Sequence, residues 1–385
     1  MAITAKRKST KAATRKTGKA PVRKAAGTRA APKALPPPTG PVTLAEAKAL
    51  VLAKQPKLTT KALRRAAVPA ASPGTVGAER EKLKQERSKE LARRLREYKA
   101  TMAIMKKRGA RRPQPKAAGK PKRGEPVPKR GESFAPLQIF AEGDSWFDYP
   151  VPFFGGGIIP RLEERLGVPI LNLAKAGDEV RYMLGVEERT LLAEMFRIGC
   201  PAGGPWDVLL FSGGGNDIVD NPMALWVKDF DPSIPPAAHM HPTRFATALQ
   251  LVRAGYDDLI AMRDRLSPTT HLVFQGYDFA LPDGRGICHL GPWLKPTFDL
   301  RGFPTADISA AKAVVKVMLE EFAKMLNELA TAPTVQNVSF INGQGTLLPQ
   351  KSSWHNELHP SRSGFQAFAN LFYAKLKALF PNRVV

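Results

Sequence analysis

The sequence predicts an α/β domain built on a parallel sheet over its last two thirds, behind a strongly basic arm. From residue 136 onward, short apolar runs of strand length alternate with longer segments of helical period. Such alternation is typical of a parallel sheet with helices on both faces. Charge divides the chain near the same place, because residues 1–130 hold 37 Lys and Arg against 7 Asp and Glu, whereas the rest of the chain holds 22 and 27. The back two thirds is also long enough to bury a full core.

The elements of this domain can be placed from the apolar runs. Strands are predicted at residues 137–141, 168–173, 208–211, 271–274 and 338–341. Helices are predicted at residues 158–166, 179–196 and 244–265, around 315–329, and from about 364. Because sites in parallel sheets form at the carboxyl ends of the strands, functional residues are expected in the loops that follow these strands.

The basic arm, residues 1–132, is predicted to be partly disordered and partly helical. Residues 1–40 hold almost no large apolar side chain, so they cannot bury enough surface to offset the entropy of ordering. A helix is expected near residues 43–56, where Thr43 and Glu46 fit a capping box. Residues 109–132 are rich in Pro, Gly, Lys and Arg and indicate a linker to the domain at 133–385.

A second helix is predicted in the arm at residues 77–108. Its apolar residues follow the spacing of a coiled-coil seam: Leu91, Leu95, Tyr98, Met102 and Met105. That seam covers only about two heptads, and isolated coiled coils usually need more. Packing against the following domain is therefore favoured over a coiled coil.

The charge of the arm has two functional interpretations. Dense Lys and Arg bind nucleic acid through counterion release without sequence preference, and anionic membrane surfaces attract the same charge. The alternative is a solubilising or targeting tail without a defined partner. We expect deletion of residues 1–130 to abolish salt-sensitive binding to polyanions while leaving the chemistry of the following domain nearly unchanged.

Composition favours a soluble, cytoplasmic protein. Cys200 and Cys288 are too few and too far apart to suggest a disulfide framework. The first residues lack the apolar core of a signal peptide, and no stretch of about 18 apolar residues is present to span a bilayer.

Three predicted strands in succession are followed by hydrogen-bond donors. Ser145 follows the first strand in a Gly-Asp-Ser turn, which presents its hydroxyl above the sheet edge. Gly177 follows the second strand and offers an N–H that no side chain blocks, and Asn216 follows the third with an amide that can face a developing oxyanion. Each motif alone is ordinary turn chemistry, but their coincidence indicates a site. Asp217 is expected to cap the helix that follows it.

His359 is the expected general base, because it lies in the loop that returns to the same sheet edge after the last strand. His239 and His241 suggest a metal pair, but no third ligand cluster accompanies them. Since they lie in a Pro-rich loop, we expect them at the surface.

The ordered set of Gly-Asp-Ser, Gly, Gly-x-Asn-Asp and His-Pro resembles the four sequence blocks of the SGNH (GDSL-like) hydrolase superfamily over about residues 136–380. The resemblance implies a three-layer α/β/α flavodoxin-like sandwich with about five parallel strands. It also implies a serine esterase with Ser145 as nucleophile and first oxyanion donor, Gly177 and Asn216 as the other donors, and His359 as base. No metal or cofactor is needed for such chemistry.

One position departs from the family pattern. The family places Asp three residues before the histidine, where this chain has Asn356. An asparagine still accepts the imidazole Nδ1–H through its amide oxygen, but it brings no charge. Asn356 is therefore the expected third catalytic residue, with the neighbouring Glu357 ranked second.

The sequence does not decide between several substrates and reaction types. Lipids, short-chain esters and acetylated sugars all fit the motifs. In the long loop after the fourth strand, Phe279, Trp293 and Phe298 are candidates either for an acyl pocket or for packing over the sheet edge. Two other classes fit the sequence, namely an SGNH-type acyltransferase and a non-catalytic polyanion-binding protein with a degenerate hydrolase domain.

Overall fold

The computed structural model describes residues 40–54, 76–111, 133–151, 154–287 and 290–384, with the backbone alone described for 76–80. Contacts divide the chain into Met1–Thr39 and Gly40–Val385, and the first unit lies outside the described residues. The predictions for the first 39 residues, for most of the linker and for Cys288 therefore also lie outside them.

Five of the strands form a single parallel sheet. In chain order, the strands among the described residues are β1 Ala110–Arg111, β2 Ser133–Phe134, β3 Ile139–Gly143, β4 Ile170–Asn172, β5 Val208–Ser212, β6 His271–Gln275 and β7 Val338–Ile341. The sheet has the order β4-β3-β5-β6-β7, with every neighbouring pair parallel. All of β3 and β5 is buried, as expected for central strands covered on both faces. The predicted three-layer α/β fold is confirmed.

Helices cover both faces of this sheet. The helices among the described residues are α1 Leu44–Lys54, α2 Val76–Arg108, α3 Ile158–Leu166, α4 Val180–Met183, α5 Val186–Ile198, α6 Pro242–Leu266, α7 Lys295–Leu300, α8 Ser309–Thr331 and α9 Arg362–Leu379. Tyr256 of α6 packs edge-on against Phe211 and Phe274 of the central strands. On α9, Phe372 packs on Phe147 after β3.

The predicted helix at 179–196 is wrong as a single element. The chain forms α4 and then α5, with a turn at Gly185 between them. A Cβ at Gly185 would lie 2.9 Å from the Arg181 carbonyl oxygen, so the turn is closed too tightly for most side chains. The short helix α7 was not predicted, because six residues that include a proline carry no usable apolar period.

Helix α2 packs against the α/β domain, which confirms the preferred interpretation of its apolar seam. Tyr98, Met102 and Met105 are buried in the common hydrophobic core. The Tyr98 ring lies 5.5 Å from that of Trp206, which immediately precedes β5. A cut at residue 130 would remove part of this core, so we place the separable segment at residues 1–39.

The start of the described chain is fastened to the same unit. Thr43 and Glu46 form the predicted capping box, with N–H to side-chain oxygen distances of 2.7 and 3.3 Å. Val42 bridges to Ala110 of β1, which pairs antiparallel with β2. Within the residues described, none of the helices has both the length and the apolar character needed to cross a membrane.

Candidate active site

Ser145 lies in the turn that directly follows β3. Backbone N–H groups of Phe147 and Asp148 both donate to the Asp144 carbonyl at 3.1 Å, which closes the turn. Gly143 allows the close approach of β5, since a Cβ there would lie 2.6 Å from the Ser212 carbonyl oxygen. The turn leaves Ser145 only 7% exposed, at the carboxyl end of the central strands.

The side chain of Asp144 holds this turn from within. It accepts hydrogen bonds from the Trp146 N–H at 2.9 Å, the Ser212 hydroxyl at 3.2 Å and the Tyr277 hydroxyl at 2.6 Å. Burial raises the pKa of Asp144 to about 6, and these three donors oppose the shift. The middle residue of Gly-Asp-Ser is therefore a structural anchor for the serine.

His359 reaches Ser145 from the loop between β7 and α9. Its Nε2 lies 2.6 Å from the Ser145 Oγ, and its Nδ1 lies 2.9 Å from the Asn356 Oδ1. Burial, with a smaller contribution from the charge of His355, lowers the pKa of His359 to about 3. The imidazole is thus neutral at pH 7 and able to accept a proton.

The orientation of Asn356 fixes the tautomer of His359. The Asn356 Oδ1 accepts the backbone N–H groups of Leu358 at 3.0 Å and His359 at 2.9 Å. Two fixed donors require an oxygen at this place, so the amide cannot be flipped. An oxygen can only accept, so Nδ1 carries the proton and Nε2 is free to accept one from Ser145.

Two residues that the sequence did not indicate extend this network. The Asn356 Nδ2 donates to the Tyr149 hydroxyl at 3.3 Å, and that hydroxyl lies 2.5 Å from the Nδ1 of His355. Because Tyr149 accepts from Asn356, its own proton is available for His355. Tyr149 is on the turn after Ser145, a place that carries no sequence signal, whereas His355 is visible beside Asn356 in the Trp-His-Asn-Glu segment.

Glu357, the second candidate for orienting the base, is used by another loop. Its carboxylate accepts four backbone N–H groups, at 2.6 to 3.1 Å, from Gly284, Trp293, Leu294 and Lys295. Burial raises the pKa of Glu357, and these four bonds oppose the shift. Both oxygens therefore anchor the long loop after β6, and the contact to the His359 Nδ1 is made by Asn356.

The expected oxyanion donors are only partly brought together. Asn216 lines one pocket with Ser145 and His359, and its Nδ2 donates one hydrogen to the Asp178 carbonyl at 2.8 Å. The second Nδ2 hydrogen is available to a ligand. Gly177, one residue before Asp178, has a positive φ of 78° and open space where a Cβ would lie, but it is not among the residues that line the pocket.

Asp217 caps a different helix from the one expected. Its carboxylate accepts the Val180 N–H of α4 at 2.9 Å, so it joins the Asn216 turn to an earlier helix. Burial raises the pKa of Asp217 to about 6. The carboxylate position fits the positive end of α4.

The pocket beside Ser145 has mostly apolar walls. The apolar side chains that line it are Trp146, Ile218, Val219, Ala280, Leu294, Val315, Met318, Leu319 and Leu358. Its polar lining residues are Asp144, Ser145, Asn216, Tyr277, Asp278 and His359. Phe279, Trp293 and Phe298 are not among the lining residues. Phe298 is buried against Phe303, so it packs within the fold and does not form an acyl pocket. The sequence did not indicate that Val315, Met318 and Leu319 of α8 line a pocket, because their spacing is that of any buried helix face.

His239 is not the surface residue that we expected. It is fully buried, its ring stacks on Phe230, and its Nε2 accepts the Asp231 N–H at 2.9 Å. In the described part of the chain, no group of three or more His, Cys, Asp or Glu is arranged to hold a metal ion.

No protein-family model and no curated protein matches this chain. Among solved structures, it is similar to the lipase Lip_vut3 from a goat rumen metagenome, with 18% identity, a TM-score of 0.40, and coverage of 62% of this chain and 96% of that one. It is also similar to an extracellular lipase from Streptomyces rimosus, with 15% identity, a TM-score of 0.38, and coverage of 62% of this chain and 99% of that one. With the salicylyl-acyltransferase SsfX3 from a tetracycline biosynthetic pathway, it shares 13% identity at a TM-score of 0.36, with coverage of 65% of this chain and 56% of that one.

Several of the matching solved structures are described as lipases or SGNH hydrolases, the superfamily that the sequence motifs resemble. At identities below 20% and TM-scores of 0.40 or less, these likenesses give no grounds for assigning chemistry to this chain. Grounds for a function come from the positions of Ser145, His359 and Asn356.

Proposed function

We propose that this protein is a serine esterase that hydrolyses carboxylic esters through an acyl-enzyme on Ser145. The observation that carries the proposal is the 2.6 Å contact between the Ser145 Oγ and a His359 imidazole whose Nδ1 is held at 2.9 Å by Asn356. A hydroxyl, a neutral base and a group that orients the base are the minimum for nucleophilic catalysis by serine.

In the proposed reaction, His359 removes the Ser145 proton as the Oγ attacks the ester carbonyl carbon. The tetrahedral oxyanion is stabilised by the backbone N–H of Ser145, by that of Gly177 and by the second Nδ2 hydrogen of Asn216. His359 then gives the proton from Ser145 to the leaving alcohol as the ester carbon–oxygen bond breaks. Water next attacks the acyl carbon while His359 takes a proton from it, and the bond to the Ser145 Oγ breaks as His359 returns the proton to that oxygen.

We assign the apolar pocket to the acyl side of the ester. Its walls offer side chains such as Val315, Met318 and Leu319, which suit a hydrocarbon chain and outnumber its polar side chains, which include Asn216 and Asp278. Among the substrate classes considered, an ester with an aliphatic acyl group is therefore favoured over an acetylated sugar.

Acyl transfer is the second candidate, and the same pocket supports it. Ser145 and His359 are only 7% and 6% exposed, so few water molecules can reach the acyl-enzyme at one time. An alcohol acceptor would then compete well for the acyl-enzyme.

A series of p-nitrophenyl esters, from acetate upward in chain length, tests the proposal with Ser145→Ala as the control. We expect hydrolysis by the wild type and a loss of at least about 10³-fold in kcat for the variant. Equal turnover by the two proteins would refute a role for Ser145, and inactivity of the wild type on the whole series would favour the non-catalytic alternative. Transfer to added alcohols, measured in the same reactions, separates hydrolysis from acyl transfer.

A further inference from the structure

Helix α2, in the segment that precedes the sheet, touches two loops of the candidate site. We propose that α2 acts as a clamp on this site, with Arg94 as a positioning residue that fixes the Ser145 turn relative to the loop carrying Gly177. The catalytic consequence of this clamp rests on the proposed function, whereas the clamp itself can be tested without it.

Arg94 joins the two loops through one guanidinium group. Its Nη2 lies 2.8 Å from the Asp148 Oδ2, and its Nη1 donates to the carbonyl oxygens of Asn172 at 3.1 Å and Ala174 at 3.4 Å. Asp148 belongs to the turn of Ser145, and Ala174 lies three residues before Gly177. A guanidinium is planar with donors in a rigid fork, so it holds these acceptors at fixed separations.

Arg87 makes a second contact between α2 and the same loop. It lies seven residues before Arg94, which is about two helical turns, so both side chains project from the same face of the helix. Its Nη2 lies 3.7 Å from the Asp178 Oδ2, and its Nη1 lies 2.7 Å from Glu188. The Asp178 carbonyl is the acceptor of the Asn216 amide, so this contact lies next to the proposed oxyanion donors.

The loop after β4 needs such a support because β4 lies at the edge of the sheet. It pairs with β3 alone, whereas β3 and β5 each have a strand on both sides. After β4, the Leu173 and Lys175 N–H groups donate back to β3 at 2.8 and 2.9 Å, and on its outer side the loop meets α2. A shift of this loop would move Gly177 and, through Asp178, the amide of Asn216.

The buried charge of Asp178 also favours contact between its loop and α2. This carboxylate is 1% exposed, and its Oδ2 accepts no hydrogen bond from the part of the chain that the structure describes. Lys175, at 3.5 Å from the Oδ1, and Arg87 are the cations that face it. A buried carboxylate is costly without opposite charge, so the loop is most stable where α2 brings Arg87 to it.

A purely stabilising role for α2 is the competing explanation, because Tyr98, Met102 and Met105, farther along the same face of the helix, are already buried in the core. Arg93 provides a matched control for this explanation. It is next to Arg94 on the same helix, and among the described residues its guanidinium bonds to Glu90 and Glu97 of α2. Arg93→Ala therefore removes an equal side chain and charge without touching either loop.

The test compares the full-length wild type, Arg94→Ala, Arg94→Lys and Arg93→Ala. Amide hydrogen exchange over residues 173–178 reports the clamp directly. Hydrolysis of p-nitrophenyl esters, normalised to the sites titrated by a fluorophosphonate, reports its effect on catalysis. We expect faster exchange in Arg94→Ala and not in Arg93→Ala, together with a fall in kcat of roughly 10- to 100-fold in Arg94→Ala, as for a misplacement near 1 Å. Millimolar guanidinium should restore part of that kcat, and Arg94→Lys should be intermediate.

Unchanged exchange over residues 173–178 in Arg94→Ala, or equal changes in Arg93→Ala, would overturn the proposal. So would a loss of kcat that guanidinium does not reverse. If Arg94→Ala does not fold, Arg94→Lys decides, and wild-type exchange and kcat in that variant would overturn the clamp. A wild type without Ser145-dependent hydrolysis would refute the esterase instead, while the exchange measurement would still judge the clamp.

Discussion

Replacement of Asn356 by aspartate would add a charge to the group that holds His359 while keeping its shape. The acceptor oxygen lies 2.9 Å from the His359 Nδ1, and the backbone N–H groups of Leu358 and His359 already point at it. The second carboxylate oxygen would face the Tyr149 hydroxyl, which could then donate its proton to this oxygen instead of to His355.

The size of the effect follows from this distance. Opposite unit charges about 4 Å apart attract by about 4 kcal/mol at an effective dielectric constant of about 20. That corresponds to an upper limit of about 3 units in the pKa of His359, and the cost of burying the new carboxylate reduces it to an expected 1 to 2 units, roughly. If a third of this attraction, about 1.4 kcal/mol, stabilises the transition state in which Ser145 transfers its proton to His359, kcat would rise about tenfold.

The assay is the pH dependence of kcat/KM and kcat from about pH 4 to 9, with Asn370→Asp on the exposed face of α9 as the matched control. Since the pKa of His359 is lowered in the wild type, its acid limb should lie below pH 6.5. In Asn356→Asp, the limb should move upward, because a higher pKa means that the base is lost at a higher pH. A limb that stays in place or moves downward in a folded variant would refute our account of the base.

Three further predictions concern stability and the arm. Glu357→Gln should lower the free energy of unfolding by roughly 2 to 4 kcal/mol in urea titrations, because an amide nitrogen would replace an oxygen that now accepts backbone N–H groups. The control Glu328→Gln, on the exposed face of α8, should have little effect on that free energy. Burial raises the pKa of Glu142 to about 8, so the folded protein keeps a proton that the unfolded chain releases, and stability should fall with pH from about 4.5 to 8. Glu142→Gln should remove that slope above about pH 6, where Asp144 and Asp217, whose pKa values burial raises to about 6, contribute little. An unchanged slope above that pH would show that Glu142 is ionised when folded. Deletion of residues 1–39, which hold 11 Lys and Arg and no acidic residue, should leave kcat unchanged and weaken salt-sensitive binding to DNA, because residues 40–130 keep the other 26 Lys and Arg of the arm. Retention of that binding at full strength would assign it to the rest of the chain.

The strands and the convergence of the motifs could be predicted because they depend on local signals. Buried parallel strands appear in the sequence as apolar runs such as Val208–Ser212, and the carboxyl ends of such strands share one edge of the sheet. Once Ser145 and His359 were assigned to that edge, their contact required only that the last loop return to it. The break between α4 and α5 was missed, since Gly185 is compatible in sequence with either one helix or two.

The parts that could not be predicted depend on distant segments that meet only in the folded chain. Arg94 lies 54 residues before Asp148 in a helix with many other basic side chains, and nothing local distinguishes it from Arg93. The pocket wall on α8 has the same apolar period as any core helix. Asn356 and Glu357 are adjacent in sequence, and their functions separate only because one turns toward His359 and the other toward the loop that carries Trp293.

The asparagine at position 356 agrees with the rest of this buried network. Around His359, the orienting partners are an amide, the hydroxyl of Tyr149 and the imidazole of His355, and burial lowers the pKa of His355 as well. A network of neutral groups incurs a smaller desolvation cost than a buried ion pair, so it can hold the ring rigidly in an apolar pocket. The consequence is a base that stays unprotonated to low pH but gains little electrostatic help as Ser145 gives up its proton. In the proposed esterase, such a site would trade maximal rate for function in acid, and the position of the acid limb in the pH profile tests this directly.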